Sequence, residues 1–189
     1  EDLDLSMVQQ TKVLYLEGYL WDSPAAKRAF IAAAEACRAA GGKVALSLSD
    51  GFCVDRHRDS FLELVNGHVD VLFANEVEIK SLYQTDDINQ ALEEVRGCCE
   101  VVAVTRGAEG SVVLSGEQRL NIGIVNLGDL VDTTGAGDLY AGGFLHAYTQ
   151  GESLQRCGEM GALCAGQIVT QLGARSQVSL QQLAATHLS

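Results

Sequence analysis

Short apolar runs alternate with longer segments of helical spacing along almost the whole chain. Val13-Leu-Tyr-Leu16 is uniformly apolar, the pattern of a buried strand. An alanine-rich segment, Ala25 to Ala40, has Pro24 at its first turn and Gly41-Gly42 at its end, which predicts a helix. Lys43 to Ser49 predicts a second strand. Asp55 to Asn66, with Phe61, Leu62, Leu64 and Val65 at helical positions and Gly67 behind them, predicts a second helix. A third strand at Val69 to Ala74, helices at Glu76 to Tyr83 and Ile88 to Cys98, and a fourth strand at Val101 to Thr105 follow. Ser111 to Ser115 and Gln118 to Asn121 flank Gly116-Glu117 as a hairpin on the sheet edge. The chain closes with helices near Gly135 to Gln150, Leu154 to Leu172 and Leu180 to Thr186.

Strand-helix alternation needs right-handed crossovers, so it predicts the α/β class: a mostly parallel sheet with helices on both faces. Ligands then bind beyond the carboxyl ends of the strands, just after Leu48, Ala74, Val104 and the hairpin. There is no internal repeat, low-complexity tract or long linker, and residues 1–189 read as one α/β domain.

Composition narrows the function. With 13 Lys+Arg against 25 Asp+Glu the net charge is −12, which argues against a nucleic-acid or anionic-membrane partner, since both need a basic face. Hydrophobic residues at 47% with charged residues at 20% describe a chain able to fill a core. The six cysteines include no C-x-x-C pair and no histidine at zinc spacing, so reduced, largely buried thiols are expected. The acidic amino terminus shows neither a basic nor an apolar signal region, and the longest uncharged stretch, Met160 to Ala174, is too short and polar to span a bilayer. These features predict a cytoplasmic protein.

Three segments carry candidate chemistry. In Asp132-Thr-Thr-Gly-Ala-Gly-Asp138, small residues open a helix whose first amides lack intrahelical partners and whose dipole adds partial positive charge, an anion hole. Asp138, in the first turn, is placed to take a proton from a substrate hydroxyl; equally, Asp132 or Thr133 reads as a simple helix cap. Gly142-Gly143 inside that helix suggests close backbone packing. Thr105-Arg-Gly107-Ala-Glu-Gly110 follows a strand, either as a loop approached by a nucleotide or as a plain turn. Asn75-Glu-Val-Glu78 places Asn75 and Glu78 on one face of a helix start, suited to water around Mg²⁺ or to capping. Other phosphate motifs fail. Gly42-Lys43 is followed by Val44, so there is no Walker A, and Tyr140 stands where a dinucleotide fingerprint needs its last glycine.

Together and in this order, the three segments resemble the ribokinase-like PfkB family of carbohydrate and nucleoside kinases. Asp132 to Leu145 is similar to its C-terminal signature, Asn75 to Glu78 to its N-x-x-E motif and Thr105 to Gly110 to its nucleotide loop. Leu16 to Asp22, Ser47 to Asp50 and Phe52 to Arg56 look closest to the adenosine-kinase-like branch. The resemblance implies a three-layer α/β/α sandwich of which this chain is the ATP-binding, catalytic C-terminal part, without the N-terminal segment and its β lid. It implies ATP-dependent phosphoryl transfer to a hydroxyl of a nucleoside, adenosine first, or of a sugar; a non-catalytic nucleotide-binding fragment is the alternative.

By the same resemblance, Asp138 is the general base, and Gly135, Ala136 and Gly137 offer amides to the transferred phosphoryl group. Thr105, Gly107 and Gly110 flank the nucleotide, and Cys164 to Thr170 line its adenine side, most of those side chains serving instead as helical core. Asn75 and Glu78 organise Mg²⁺ through water. Asp132 and Thr134, with carbonyls near Gly173, correspond to a K⁺ site, although Arg175-Ser176 replaces the proline that members carry soon after the Gly-Ala. Family members dimerise through the lid, so a homodimer is an expectation for the full-length protein. Tyr19 and Trp21 are candidates to touch the acceptor, one of them packing instead in the core, and His57 is expected to face solvent.

Overall fold

The computed structural model describes residues 3–188. Six strands, β1 (Val13–Glu17), β2 (Lys43–Ser47), β3 (Val71–Asn75), β4 (Val101–Thr105), β5 (Ser111–Ser115) and β6 (Gln118–Ile122), form one sheet in sequential order. The helices are α1 (Leu5–Val8), α2 (Pro24–Ala39), α3 (Gly51–Arg56), α4 (Arg58–His68), α5 (Glu76–Tyr83), α6 (Ile88–Val95), α7 (Ala136–Thr149), α8 (Leu154–Ile168) and α9 (Leu180–His187). β1 pairs with β2 and β2 with β3 in parallel, each across a helical connection. β4, β5 and β6 are neighbours joined by short loops, which only antiparallel pairing accommodates. The α/β class is as expected from the alternation, with a mixed sheet. No helix among the described residues is long and apolar enough to cross a membrane.

The chain forms two compact units. The first runs to Val104 and includes Leu114–Gln118. Its strands are apolar on every central position because helices cover them, and Leu46, Leu72, Ile79 and Leu92 are fully buried. Trp21, 2% exposed, packs between Phe30 and Phe61 and donates from Nε1 to Ser60 Oγ at 2.9 Å. Trp21 is thus the core residue of the pair named above, and Tyr19, 57% exposed, is the accessible one.

The second unit comprises Thr105–Val113 and Arg119–Ser189. α7 packs on α8 through glycines. A Cβ on Gly143 would stand 2.7 Å from the Met160 carbonyl oxygen, and one on Gly161 would stand 2.9 Å from that of Tyr140. Close packing thus explains Gly143 but not Gly142, whose Cβ would meet nothing among the described residues.

Several boundaries differ from the sequence pattern. The helix expected over Asp55 to Asn66 is two helices, because Asp50 caps an extra turn from Gly51 and His57 leaves helical geometry at φ −123°. His57 is half-buried rather than freely solvated, its side chain 26% exposed: its Nε2 meets Asp22 Oδ1 at 2.8 Å and its Nδ1 lies 3.3 Å from Lys27 Nζ. β2 stops at Ser47 because Ser49 turns into the left-handed region at φ 64°. α8 ends at Ile168, four residues short of Leu172. Among the described residues the cysteines are free thiols, with Cys98 alone not buried.

Candidate active site

In the first unit the carboxyl ends of β1, β2 and β3 carry Glu17, Ser49, Asp50 and Asn75. Gly18 lets β1 pass close to β2, since a Cβ there would stand 2.7 Å from the Ser47 carbonyl oxygen. Ser49 Oγ donates to Glu17 Oε2 at 2.6 Å and accepts from the Gly18 N–H at 3.0 Å, which ties the two strand ends together and holds Ser49 at its positive φ.

Asn75 and Glu78 close a reciprocal cap on α5. The Glu78 N–H donates to Asn75 Oδ1 at 2.8 Å, the Asn75 N–H donates to Glu78 Oε2 at 2.8 Å, and Asn75 Nδ2 donates to Glu78 Oε1 at 2.7 Å. The capping alternative read from the spacing is therefore realised. It leaves each Glu78 oxygen a second lone pair. Glu78 is 6% exposed, and burial pushes its carboxyl above the usual range, helped by the charges of Asp50 and Glu17 and opposed by the Asn75 backbone N–H.

A carboxyl whose folded pKa is raised stabilises the fold below its unfolded value near 4.5 and loses that contribution as pH rises through the folded pKa. Glu78→Gln removes this dependence. Urea titrations of both proteins across pH are expected to show the wild type losing stability relative to the variant as pH rises from about 4.5. The bond lost in the variant adds an offset that does not vary with pH. A stability difference constant with pH would contradict the assignment.

In the second unit Thr105 ends β4, and the chain turns through Gly107 at φ 55° and Gly110 at φ 82° before entering β5. The Arg106 N–H donates to the Gly110 carbonyl at 2.8 Å, and Arg106 pairs with Glu109. A Cβ on Gly110 would overlap the Ile122 carbonyl oxygen, whereas one on Gly107 would meet nothing among the described residues. Gly110 thus shapes the loop and Gly107 presents an open backbone. Ser111, just after the loop, shares a 2.8 Å hydroxyl contact with Tyr140 of α7, and burial pushes the Tyr140 phenol up to about 12.

The signature segment enters α7 through Gly135 at φ 79°, where a Cβ would stand 2.7 Å from that of Ala174. Asp132 is a staple. Its Oδ1 accepts from the Thr134 N–H at 2.9 Å and from Thr134 Oγ1 at 2.7 Å, and its Oδ2 accepts from the Gly173 N–H at 2.9 Å. These bonds, the one from Gly173 foremost, hold its carboxyl below the ordinary range. The Ala136 N–H is turned back to the Thr133 carbonyl at 3.1 Å, so of the amides named from the sequence it is already engaged. The Gly137 and Asp138 N–H groups lie in the first turn, where helix geometry offers no intrahelical acceptor. Asp138 is exposed there.

The family model of the pfkB family carbohydrate kinases matches residues 1–181. The chain belongs to this family. A nucleoside kinase of Methanocaldococcus jannaschii is 34% identical over 123 residues, covering 64% of this chain and 39% of that protein. The crystal structure of an adenosine kinase from Sinorhizobium meliloti superimposes with a TM-score of 0.95 at 49% identity, over 98% of this chain and 57% of the other. The structure of an Arabidopsis thaliana ribokinase complexed with ribose and ATP superimposes with a TM-score of 0.77 at 26% identity, over 97% of this chain and 59% of the other. The pfkB chain described here therefore spans about half the length of the relatives it matches. Its fold is the ribokinase-like α/β fold of these neighbours.

Proposed function

We propose that the full protein transfers the γ-phosphoryl group of ATP to a hydroxyl of a nucleoside, with adenosine as the first acceptor to test and a sugar as the second. The observation that carries this reading is the entry to α7: an exposed carboxylate, Asp138, in the same first turn as two unpaired-by-geometry amides, within a chain of the pfkB family. The acceptor adenosine is favoured by the likeness to the S. meliloti adenosine kinase, and ATP by the A. thaliana ribokinase complex.

In this proposal the Asp138 carboxylate takes the proton of the acceptor hydroxyl as its oxygen attacks the γ-phosphorus, and the bond to the β–γ bridging oxygen breaks to release ADP. The Gly137 and Asp138 amides, aligned with the helix dipole, receive charge on the transferred group. Gly135 gives the backbone its left-handed entry, and Gly107 with Thr105 lets the nucleotide approach the chain in the loop that Gly110 shapes. The chain read this way is the ATP-binding, catalytic part of a longer kinase, residues 1–189 acting as one domain, with a homodimer expected of the whole protein and a cytoplasmic location.

Mg²⁺ fits Asn75 and Glu78. Both offer oxygen, and each Glu78 oxygen keeps a lone pair for a metal-bound water. When bound, Mg²⁺ supplies neutralisation of phosphate charge. At Asp132 and Thr134, the candidate K⁺ site, Asp132 Oδ1 already accepts two bonds, which leaves Oδ2, with one bond from the Gly173 N–H, and Thr134 Oγ1 as the oxygens with a lone pair to offer.

The test is an ADP-release assay on the full chain with ATP, Mg²⁺ and K⁺, offering adenosine, inosine, ribose and fructose separately. Turnover with adenosine or inosine supports the nucleoside reading, and turnover with ribose or fructose alone replaces it with a sugar kinase. ATP binding without turnover on any acceptor refutes the proposed reaction.

A further inference from the structure

The side of α8 that faces α7 changes character toward the first turn of α7. Met160 and Cys164 mark this side, since a Cβ on Gly143 would stand 2.7 Å from the Met160 carbonyl oxygen and 2.8 Å from Cys164 Sγ. Three residues on from Cys164 stands Gln167, and four further on, just past the helix end, Gln171 continues the same row. Gln167 is 6% exposed, a buried polar side chain on a helix whose other buried residues are small or apolar.

The amide orientations follow from backbone partners. Gln171 Nε2 donates to the Arg175 carbonyl at 2.6 Å, and its Oε1 accepts from the Gln177 N–H at 3.1 Å. A carbonyl only accepts and an N–H only donates, so the Gln171 amide has one possible orientation. Its Oε1 therefore faces Gln167 Nε2, which donates at 3.0 Å. That fixes Gln167 in turn and leaves Gln167 Oε1 buried without a hydrogen-bond partner among the described residues. A buried, unsatisfied acceptor costs stability that a leucine of similar volume would not. The amide pair thus carries a cost to the fold, and its visible result is a closed loop from Gln171 to Gln177.

That loop touches the entry to α7 at two points. Its Gly173 N–H donates to Asp132 Oδ2 at 2.9 Å, and its Ala174 fills the space beside Gly135 that a side chain there would need. Both contacts bear on the segment that delivers Gly137 and Asp138. We infer that Gln171, held in place by Gln167, is a positioning residue for the first turn of α7, fixing the amides and the carboxylate to which phosphoryl transfer is assigned. This inference rests on the proposed kinase reading for its catalytic consequence, but its structural content does not.

Gln171→Ala and Gln167→Leu in the full chain test it, by steady-state kinetics, thermal melts and amide hydrogen exchange. Gln171→Ala is expected to lower kcat by about tenfold or more with KM for ATP changed by less, as displaced catalytic groups do. It should also speed exchange over residues 133–139. Gln167→Leu is expected to leave the melting temperature unchanged or higher while kcat falls severalfold, a combination that a merely structural glutamine would not give. If Gln171→Ala fails to fold, Gln167→Leu decides. The inference is overturned if kcat in the folded variants stays within about twofold of wild type and exchange over 133–139 is unchanged. A wild-type chain that turns over no acceptor would sink the kinase reading instead, and the exchange comparison alone would then decide the positioning role.

Discussion

Asp138→Asn in the full chain is expected to lower kcat by about 10³-fold or more while ATP still binds with near wild-type affinity. Asparagine has the shape of aspartate but cannot accept the hydroxyl proton. The loss should therefore fall on the chemical step and not on nucleotide binding. The fold should tolerate the change. Asp138 is exposed, and removing one negative charge from the first turn of α7 costs about 0.3–1 kcal/mol through the helix dipole. Single-turnover ADP formation measures the first quantity and titration calorimetry with Mg·ATP the second. A kcat within tenfold of wild type would remove Asp138 as the base. Loss of ATP binding together with activity would instead make the carboxylate part of the phosphate site.

How much of this was readable beforehand depended on how local the cause was. β4 and α5 occupy the residues that the pattern predicts, β4 as an unbroken apolar run closed by Arg106-Gly107 and α5 because Asn75 and Glu78 cap each other within one turn. The glycine entry to α7 was equally visible, since the spacing of small residues is itself the signal. Where a distant partner decides the outcome, the pattern fails. The break at His57, whose ring meets Asp22 and Lys27 from 35 and 30 residues away, is foreshadowed by no periodicity in Asp55 to Asn66. Asp132 reads from its local pattern only as a helix cap; the family resemblance alone puts it near Gly173, 41 residues on, whose N–H holds one of its oxygens. Gln167 showed only within the Cys164 to Thr170 segment assigned to the adenine side, and Gln171 only as a polar interruption of an apolar stretch. Their amide pairing could be suspected from a spacing of four, but its target, the loop to Gln177, could not.

The loop after β4 offers a contrast between two glycines three residues apart, and Gly110→Ala is expected to be the more damaging change to the fold. Gly110 sits at φ 82°, ψ −131°, a conformation that side chains rarely adopt, and its Cβ would overlap the Ile122 carbonyl oxygen at the end of β6. Backbone cannot rotate aside as a flexible side chain can, so either β5 or β6 must shift. The expected cost is on the order of 4 kcal/mol, in the range reserved for steric and strain defects, and the melting temperature should fall by roughly 10 °C. Gly107, at φ 55°, has open space where its Cβ would go, so Gly107→Ala should cost only about 1–2 kcal/mol for the left-handed conformation. If that open space is where the nucleotide approaches, the ordering reverses in binding: Gly107→Ala, still folded, should weaken ATP by severalfold in titration calorimetry. Thermal melts and ATP titrations of the two variants separate the roles. Equal melting temperatures would refute the steric argument at Gly110, and unaltered ATP affinity in Gly107→Ala would place the nucleotide away from this loop.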